Sequence, residues 1–175
     1  DGFFGINDLI ASDLGLNPIL DFTGLTGTDL EGTVSVTREA NYDSTVGFYK
    51  IQNSNGAVTD PNTGDLITPG STGYKEAALD SSNLFSSLGT LSTSDGSTVT
   101  SSLTSFAGAE MVAPYASISN TGQTYFPFKD ANADGLSHFR EFGNGVIGLE
   151  DIYGGGDNDF DDLIFGFDFN LATSS

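Results

Sequence analysis

The chain has 175 residues, with 24 Asp and Glu against only five Lys and Arg, which gives a formal net charge of −19. Nucleic-acid binding needs a basic surface, so a nucleic-acid partner is not expected. No apolar run is long enough for membrane insertion. The absence of cysteine excludes disulfides and thiolate metal sites, and the length suits a single domain spanning residues 1–175.

Glycine and small polar residues interrupt the chain every eight to twelve residues, which predicts many short strands. In chain order, strands are predicted over residues 30–37, 46–51, 111–118, 124–128 and 163–169. Short helical turns are predicted within residues 7–16 and 74–79, and the Ser/Thr-rich segment 81–105 is interpreted as an irregular excursion.

Two details of these strands bear on the fold. Pro114 and Pro127 favour edge positions or strand ends, because proline cannot donate to a ladder. Phe165, Phe167 and Phe169 fall on one face of the last strand at period two, which predicts core. The expected fold is mostly β: an antiparallel β-sandwich with one or two short helices.

The last third of the chain contains a first acidic loop, residues 130–135. Asp130, Asn132, Asp134, Gly135 and Glu141 satisfy the spacing of an EF-hand loop, although a strand rather than a helix is predicted before it. We therefore expect a Ca²⁺ loop with Asp130, Asn132 and Asp134 as ligands. An Asn/Asp-Gly turn without an ion is the alternative.

A second acidic loop follows at residues 154–162, with Glu150 and Asp151 just before it. Carboxylates at alternate positions beside consecutive glycines suit Ca²⁺, which takes six to eight oxygen ligands in flexible geometry. The stretch resembles one turn of the RTX nonapeptide, although a single copy cannot build a β-helix. The candidate ligands are Glu150, Asp151, Asp157, Asp159, Asp161 and Asp162. Gly154, Gly155 and Gly156 are expected to approach the ion or its ligand through their backbone.

His138 is the sole histidine, and a lone histidine more often packs or orients a neighbouring carboxylate than acts as a general base. Because no G-x-S-x-G elbow is present either, no enzyme is expected. Asp95 lies outside both acidic motifs and is expected to play no part in ion binding.

The two loops together resemble a known family. The residues that carry the resemblance are Phe128-x-Asp130-x-Asn132-x-Asp134-Gly135-x-x-His138 and Gly148-x-Glu150-Asp151-x-x-Gly154-Gly155-Gly156-Asp157-x-Asp159-Phe160-x-Asp162. This family is a domain of unknown function at the ends of cyanobacterial and marine bacterial exoproteins, similar to the calcium-dependent peptide-binding domain of RTX adhesins. The resemblance covers about residues 30–170 and leaves 1–29 as an N-terminal extension packed on the domain.

The resemblance implies a β-sandwich that holds more than one Ca²⁺ ion, with Glu39 and Asp43 as weaker candidate ligands. It also implies a Ca²⁺-dependent ligand-binding module for adhesion, part of a secreted or cell-surface bacterial protein. The expected partner is a peptide C-terminus or a glycan on another cell or surface protein, recognised through a bound Ca²⁺. The alternative is a structural module of an exoprotein or surface layer, in which Ca²⁺ only rigidifies the fold.

Overall fold

The computed structural model describes residues 10–11, 18–143 and 145–172. Its strands are β1 (Ile10–Ala11), β2 (Ile19–Asp21), β3 (Thr28–Arg38), β4 (Ser44–Ile51), β5 (Val58–Thr59), β6 (Leu66–Ile67), β7 (Thr98–Gly108), β8 (Met111–Ile118), β9 (Gln123–Tyr125), β10 (Phe139–Gly143), β11 (Val146–Leu149) and β12 (Leu163–Leu171). The helix α1 spans Tyr74–Ala78, and short 3-10 turns span Thr23–Leu25, Ser86–Leu88 and Lys129–Ala131.

The strands form two five-stranded antiparallel sheets. The first has the order β1-β2-β8-β4, with β9 also paired to β8, and the second has the order β10-β11-β12-β3-β7. A small β5–β6 hairpin stands apart from both sheets. The prediction of a mostly β, antiparallel sandwich with few short helical turns is confirmed.

The main core lies between the two sheets. Phe165, Phe167 and Phe169 of β12 are buried, as the period-two pattern predicted. Phe48 of β4 crosses from the opposite sheet, with its ring centroid 6.0 Å from that of Phe165 and 5.6 Å from that of Phe167. Edge-to-face pairs of this kind add to the free energy of apolar burial.

The first sheet is covered on its outer face as well. Tyr49 of β4 packs there against Phe126 and against Tyr74 of α1. The Tyr49 and Tyr74 hydroxyls lie 2.9 Å apart, and Tyr74 donates to the Gly56 carbonyl at 2.6 Å. This second cluster explains why β4 is buried on both sides.

The segment 81–105 is more regular than its sequence predicted, because Thr98–Gly108 forms β7 at the edge of the second sheet. Most side chains of β7 are exposed, so this strand lacks the apolar alternation by which strands are recognised in a sequence. Its register is supported by hydroxyl pairs instead, Ser35–Thr100 at 2.9 Å and Thr37–Thr98 at 2.8 Å.

Pro114 does not place its strand at a sheet edge, since β8 pairs with β2, β4 and β9. On the side away from β4, the β2 pairs end at Val112 and the β9 pairs begin at Ala116. Pro114 falls in that gap, where a missing N–H removes no ladder bond. The predicted strand at 124–128 ends at Tyr125, before Pro127.

Part of the predicted N-terminal extension belongs to the sandwich itself. The strand β2 pairs with β8, and Leu20 and Phe22 are fully buried in the main core. Of the helical turn predicted at residues 7–16, Ile10–Ala11 form strand β1 and the others lie outside the described residues. No helix in the described part of the chain is long and apolar enough to cross a membrane.

Candidate metal centre

The segment from Glu150 to Asp162 connects β11 to β12 through an unusual backbone path. Gly154, Gly155 and Gly156 have φ of 88°, 94° and 47°, and Asn158 and Phe160 have φ of 61° and 60°. An aromatic residue in this left-handed region costs about 1–2 kcal/mol. Phe160 is nevertheless buried, and the Arg140 guanidinium carbon lies 4.3 Å from its ring centroid. The packing of Phe160 therefore holds the loop in a strained conformation.

This path brings three carboxylates together. Glu150, Asp157 and Asp159 each offer an oxygen within 4.8 Å of the others, and they are the one such acidic group among the described residues. Asp157 and Asp159 are exposed, whereas Glu150 is 0% exposed. Neither carboxylate oxygen of Glu150 has a hydrogen-bond partner of good distance and angle, although the Asp162 carboxylate and the Phe160 backbone lie near enough to influence its pKa. A buried, unpartnered carboxylate is costly and requires either a proton or a cation.

The electrostatics of the site agree with that requirement. Burial, together with the neighbouring Asp162 and Asp157 carboxylates, raises the pKa of Glu150 from 4.5 to about 8. Burial also raises the pKa of Asp151 to about 6, with a further contribution from Asp162, although a hydrogen bond from Ser44 opposes it. An all-oxygen set of clustered carboxylates fits a hard divalent cation such as Ca²⁺.

The glycine turn closes directly over the Glu150 carboxylate. A Cβ at Gly156 would lie 2.5 Å from Glu150 Oε1 and 3.2 Å from Ile152 Cδ1. Gly154 has a similar left-handed φ, but a Cβ there would meet nothing within 4 Å. Only a glycine at position 156 therefore lets the backbone approach the buried carboxylate.

We predict that Gly156→Ala weakens Ca²⁺ binding by at least tenfold, because its methyl group displaces the Glu150 carboxylate. Gly154→Ala is the comparison variant, since it also places a side chain in a left-handed conformation of the same turn but without the clash. Calorimetric titration of both variants with Ca²⁺ measures the difference. Equal losses at the two positions would show that only backbone conformation matters.

Asp151 and Asp162 are hydrogen-bonded to each other and link the loop to the sandwich. The Asp151 N–H donates to Asp162 Oδ2 at 2.8 Å, and the Ser44 hydroxyl donates to Asp151 Oδ2 at 2.8 Å. Both carboxylates border an open cleft of about 730 Å³, which is also lined by Glu39, Tyr42, Asp95 and Asp157. The cleft thus collects acidic side chains from three separate segments.

Asp43, Asp161 and Asp95 lie outside the cluster of three carboxylates. Asp43 is exposed and forms an ion pair with Arg38 at 2.9 Å. Asp161 is half-buried, and its N–H donates to Asp159 Oδ1 at 3.3 Å. Asp95, which the sequence placed outside both motifs, lines the cleft and accepts a hydrogen bond from the Ala40 N–H at 3.0 Å.

The first acidic loop is closed by internal hydrogen bonds. Asn132 is buried, and its Oδ1 accepts from the Phe126 N–H at 2.7 Å while its Nδ2 donates to the Phe126 and Leu136 carbonyls at 2.8 Å each. Asp130 is exposed. The carboxylates of Asp130 and Asp134 do not join any group of three converging acidic or histidine ligands among the described residues. The Asn132 side chain instead braces the turn.

Asp134 and His138 connect this loop to the second one. Asp134 Oδ2 accepts from the Gly154 N–H at 2.9 Å and lies 2.7 Å from His138 Nε2. Although burial raises the pKa of Asp134, the hydrogen bonds from Gly154 and His138 outweigh it and hold the pKa below its ordinary value. The structure therefore brings the two acidic loops side by side.

Ser44 is a residue of this region that sequence reasoning missed. Its hydroxyl donates to Asp151 across 107 positions of sequence. Nothing in the local sequence distinguishes Ser44 from the many other serines of the chain. Only the tertiary contact identifies it.

Comparison with known families gives one match. The model of a family described as a domain of unknown function (DUF4114) matches residues 41–170. No curated protein and no solved structure matches the chain.

Proposed function

Since the chain belongs to the DUF4114 family, whose description assigns no activity, we propose its function from the site itself: a Ca²⁺-dependent ligand-binding module, without enzymatic activity. The proposal places it in a secreted or cell-surface bacterial protein, where millimolar Ca²⁺ is available. Its partner would be a peptide terminus or a glycan.

A single observation carries the metal part of this proposal. The Glu150 carboxylate is fully buried without a hydrogen-bond partner and is directed at two further carboxylates, Asp157 and Asp159. Full ionisation of these three carboxylates at this spacing is unfavourable unless a cation lies between them. A Ca²⁺ ion would neutralise them and would satisfy both Glu150 oxygens.

The exposure of the site supports a role in binding. Three carboxylates supply at most six oxygens, and Asp157 and Asp159 face solvent, so a bound Ca²⁺ would retain positions open to a ligand. Such an ion reverses the local potential and permits an acidic protein to hold a carboxylate or a pair of sugar hydroxyls.

Apolar side chains border the same turn. Leu136 and Ile152 are each 40% exposed, and Tyr153 is 54% exposed. A Cβ at Gly155 would lie 3.5 Å from Leu136 Cδ1, which places that side chain directly against the glycine turn. Exposed apolar groups of this size beside a polar site are typical of ligand-binding surfaces.

The alternative, a structural module rigidified by Ca²⁺, is supported by a different contact. The loop that carries the ion site joins strands of the second sheet, and Asp151 accepts a hydrogen bond from Ser44 of β4 in the first sheet. An ion here would strengthen a connection between the two sheets without any external ligand.

We predict that EDTA lowers the melting temperature of the protein by about 10 °C or more, because an ion bound only by the native state stabilises it by mass action. At a Ca²⁺ concentration 1,000-fold above Kd, that stabilisation is about 4 kcal/mol. Differential scanning calorimetry with EDTA and with 2 mM Ca²⁺ measures the shift. An unchanged melting curve would contradict the metal assignment.

The matched variants are Asp159→Asn and Asp168→Asn, which remove the same charge. Asp168 is exposed on β12, five positions after Leu163 and so about 17 Å along the strand from its start. Asp159→Asn should abolish most of the calcium-dependent shift, whereas Asp168→Asn should leave it intact. Equal effects would indicate a general response of an acidic protein to divalent ions.

Titration calorimetry with a panel of peptides and glycans separates the two functions. A ligand that binds in Ca²⁺ and not in EDTA supports the recognition module. Calcium binding with no response to any member of the panel favours the structural module.

A further inference from the structure

His138 is completely buried and lies between the two acidic loops. Its Nδ1 lies 2.6 Å from the Glu150 carbonyl oxygen and its Nε2 lies 2.7 Å from Asp134 Oδ2. The ring is stacked on Tyr125, with centroids 3.6 Å apart and planes 10° apart. Because a carbonyl oxygen only accepts, Nδ1 donates to Glu150 and fixes the backbone of the residue that carries the buried carboxylate.

Asp134 completes the connection. Its side chain is 4% exposed, and its two oxygens receive the Leu136 N–H at 3.1 Å, the Gly154 N–H at 2.9 Å and His138 Nε2 at 2.7 Å. Two backbone N–H groups and the His138 ring contact one carboxylate, which does not join the Glu150–Asp157–Asp159 cluster. Asp134 thus contacts the second loop through its backbone.

We propose that Asp134 and His138 are positioning residues for the cation site, which hold the second loop in its ligating conformation from outside the set of ligands. The inference rests on the proposed function, namely that Glu150, Asp157 and Asp159 bind Ca²⁺. The inference gives the first acidic loop a role at the ion site. Asn132 braces the loop, the loop positions Asp134, and the Asp134–His138 pair holds the backbone of Glu150 and Gly154.

The physical basis is preorganisation. The two bonds hold both ends of the segment 150–154, which contains the buried ligand and begins the glycine turn. Without them, the three carboxylates repel one another and the ion itself must order the turn, at a cost in binding free energy. Hydrogen-bond partners outside the ligand set affect metal affinity about 10- to 100-fold in other proteins.

The test compares Asp134→Asn and His138→Gln with Tyr125→Phe. The control retains the aromatic stack and removes only the Tyr125 hydroxyl, which is buried and has no hydrogen-bond partner. For each protein, freed of metal with EDTA, calorimetry gives the Kd for Ca²⁺, and scanning calorimetry gives the melting temperature with and without Ca²⁺. His138→Gln retains one N–H donor, so it decides the question if Asp134→Asn does not fold.

We expect the Kd to rise at least tenfold in Asp134→Asn, to rise by a smaller factor in His138→Gln, and to stay unchanged in Tyr125→Phe. The calcium-induced rise in melting temperature should shrink in the same order. A merely structural pair would lower both melting temperatures equally and leave the Kd unchanged, which would overturn the inference while the ion site stands. Failure of the wild-type protein to bind Ca²⁺ would overturn both proposals, and it is seen without any variant.

Discussion

Replacing Glu150 with glutamine is expected to abolish Ca²⁺ binding and, at the same time, to stabilise the ion-free protein. The wild-type carboxylate is buried without a partner, and burial together with Asp162 and Asp157 raises its pKa to about 8. Ionising Glu150 in the ion-free fold is therefore unfavourable at high pH. Glutamine retains the shape of the side chain and removes the charge.

The measurement is the melting temperature in EDTA and in Ca²⁺ at pH 8.5, where the effect is largest. Glu150→Gln should melt above the wild type in EDTA and show no calcium-induced rise. Glu76→Gln removes the same charge from an exposed position on α1 and should match the wild type in both conditions. A variant that melts below the wild type in EDTA would show that Glu150 stabilises the fold by itself.

The opposite signs of these two effects identify the role of Glu150. If Glu150 served fold stability alone, an uncharged residue at this position would stabilise the protein more, because a buried, unpaired charge is destabilising. The structure instead accommodates the charge by opening space above it, since a Cβ at Gly156 would lie 2.5 Å from Glu150 Oε1. Glu150 and Gly156 therefore act together: the glycine leaves space for the carboxylate, and the carboxylate is the proposed ligand of the cation.

Much of this cation site can be predicted from the sequence, because its residues lie close together along the chain. Alternating carboxylates beside three glycines predicted a cation loop at 154–162, and the alternation of Phe165, Phe167 and Phe169 predicted a buried strand directly after it. Period-two patterns and glycine turns depend on near neighbours, so they survive without tertiary information. The sandwich follows from many such strands.

The parts that the sequence did not reveal depend on distant contacts. Glu150 and Asp157 look equivalent as sequence, yet one is fully buried and the other is exposed. Asp130, Asn132 and Asp134 have the spacing of an EF-hand loop. The Asn132 amide, however, is hydrogen-bonded to the Phe126 backbone, and the Asp134 carboxylate accepts from the Gly154 N–H. Strand β7 was missed for the same reason. It is a strand because it pairs with β3, and its sequence lacks an apolar alternation.

The stability of the ion-free protein is expected to depend on pH more strongly than that of the calcium-loaded protein. Glu150 has a folded pKa of about 8 against 4.5 as its reference, and Asp151 has one of about 6 against 3.8. A carboxyl group whose pKa is raised by folding contributes stability that is present below the reference pKa and is lost as pH rises through the folded pKa. The ion-free protein should therefore gain stability as pH falls from 8.5 to 5.5. The lowered pKa of Asp134 acts only below this window.

In Ca²⁺ the proton competes with the ion for Glu150, so calcium affinity should weaken as pH falls through 8. The melting temperatures in EDTA and in Ca²⁺ should then converge towards pH 5.5 and separate towards pH 8.5. General relief of charge repulsion also raises stability at low pH, and Glu150→Gln isolates that contribution because it lacks the titrating group while retaining the other acids. A calcium-induced shift that stays constant across this range would mean that no group of the site exchanges a proton for the ion, and Glu150 would then not be a ligand.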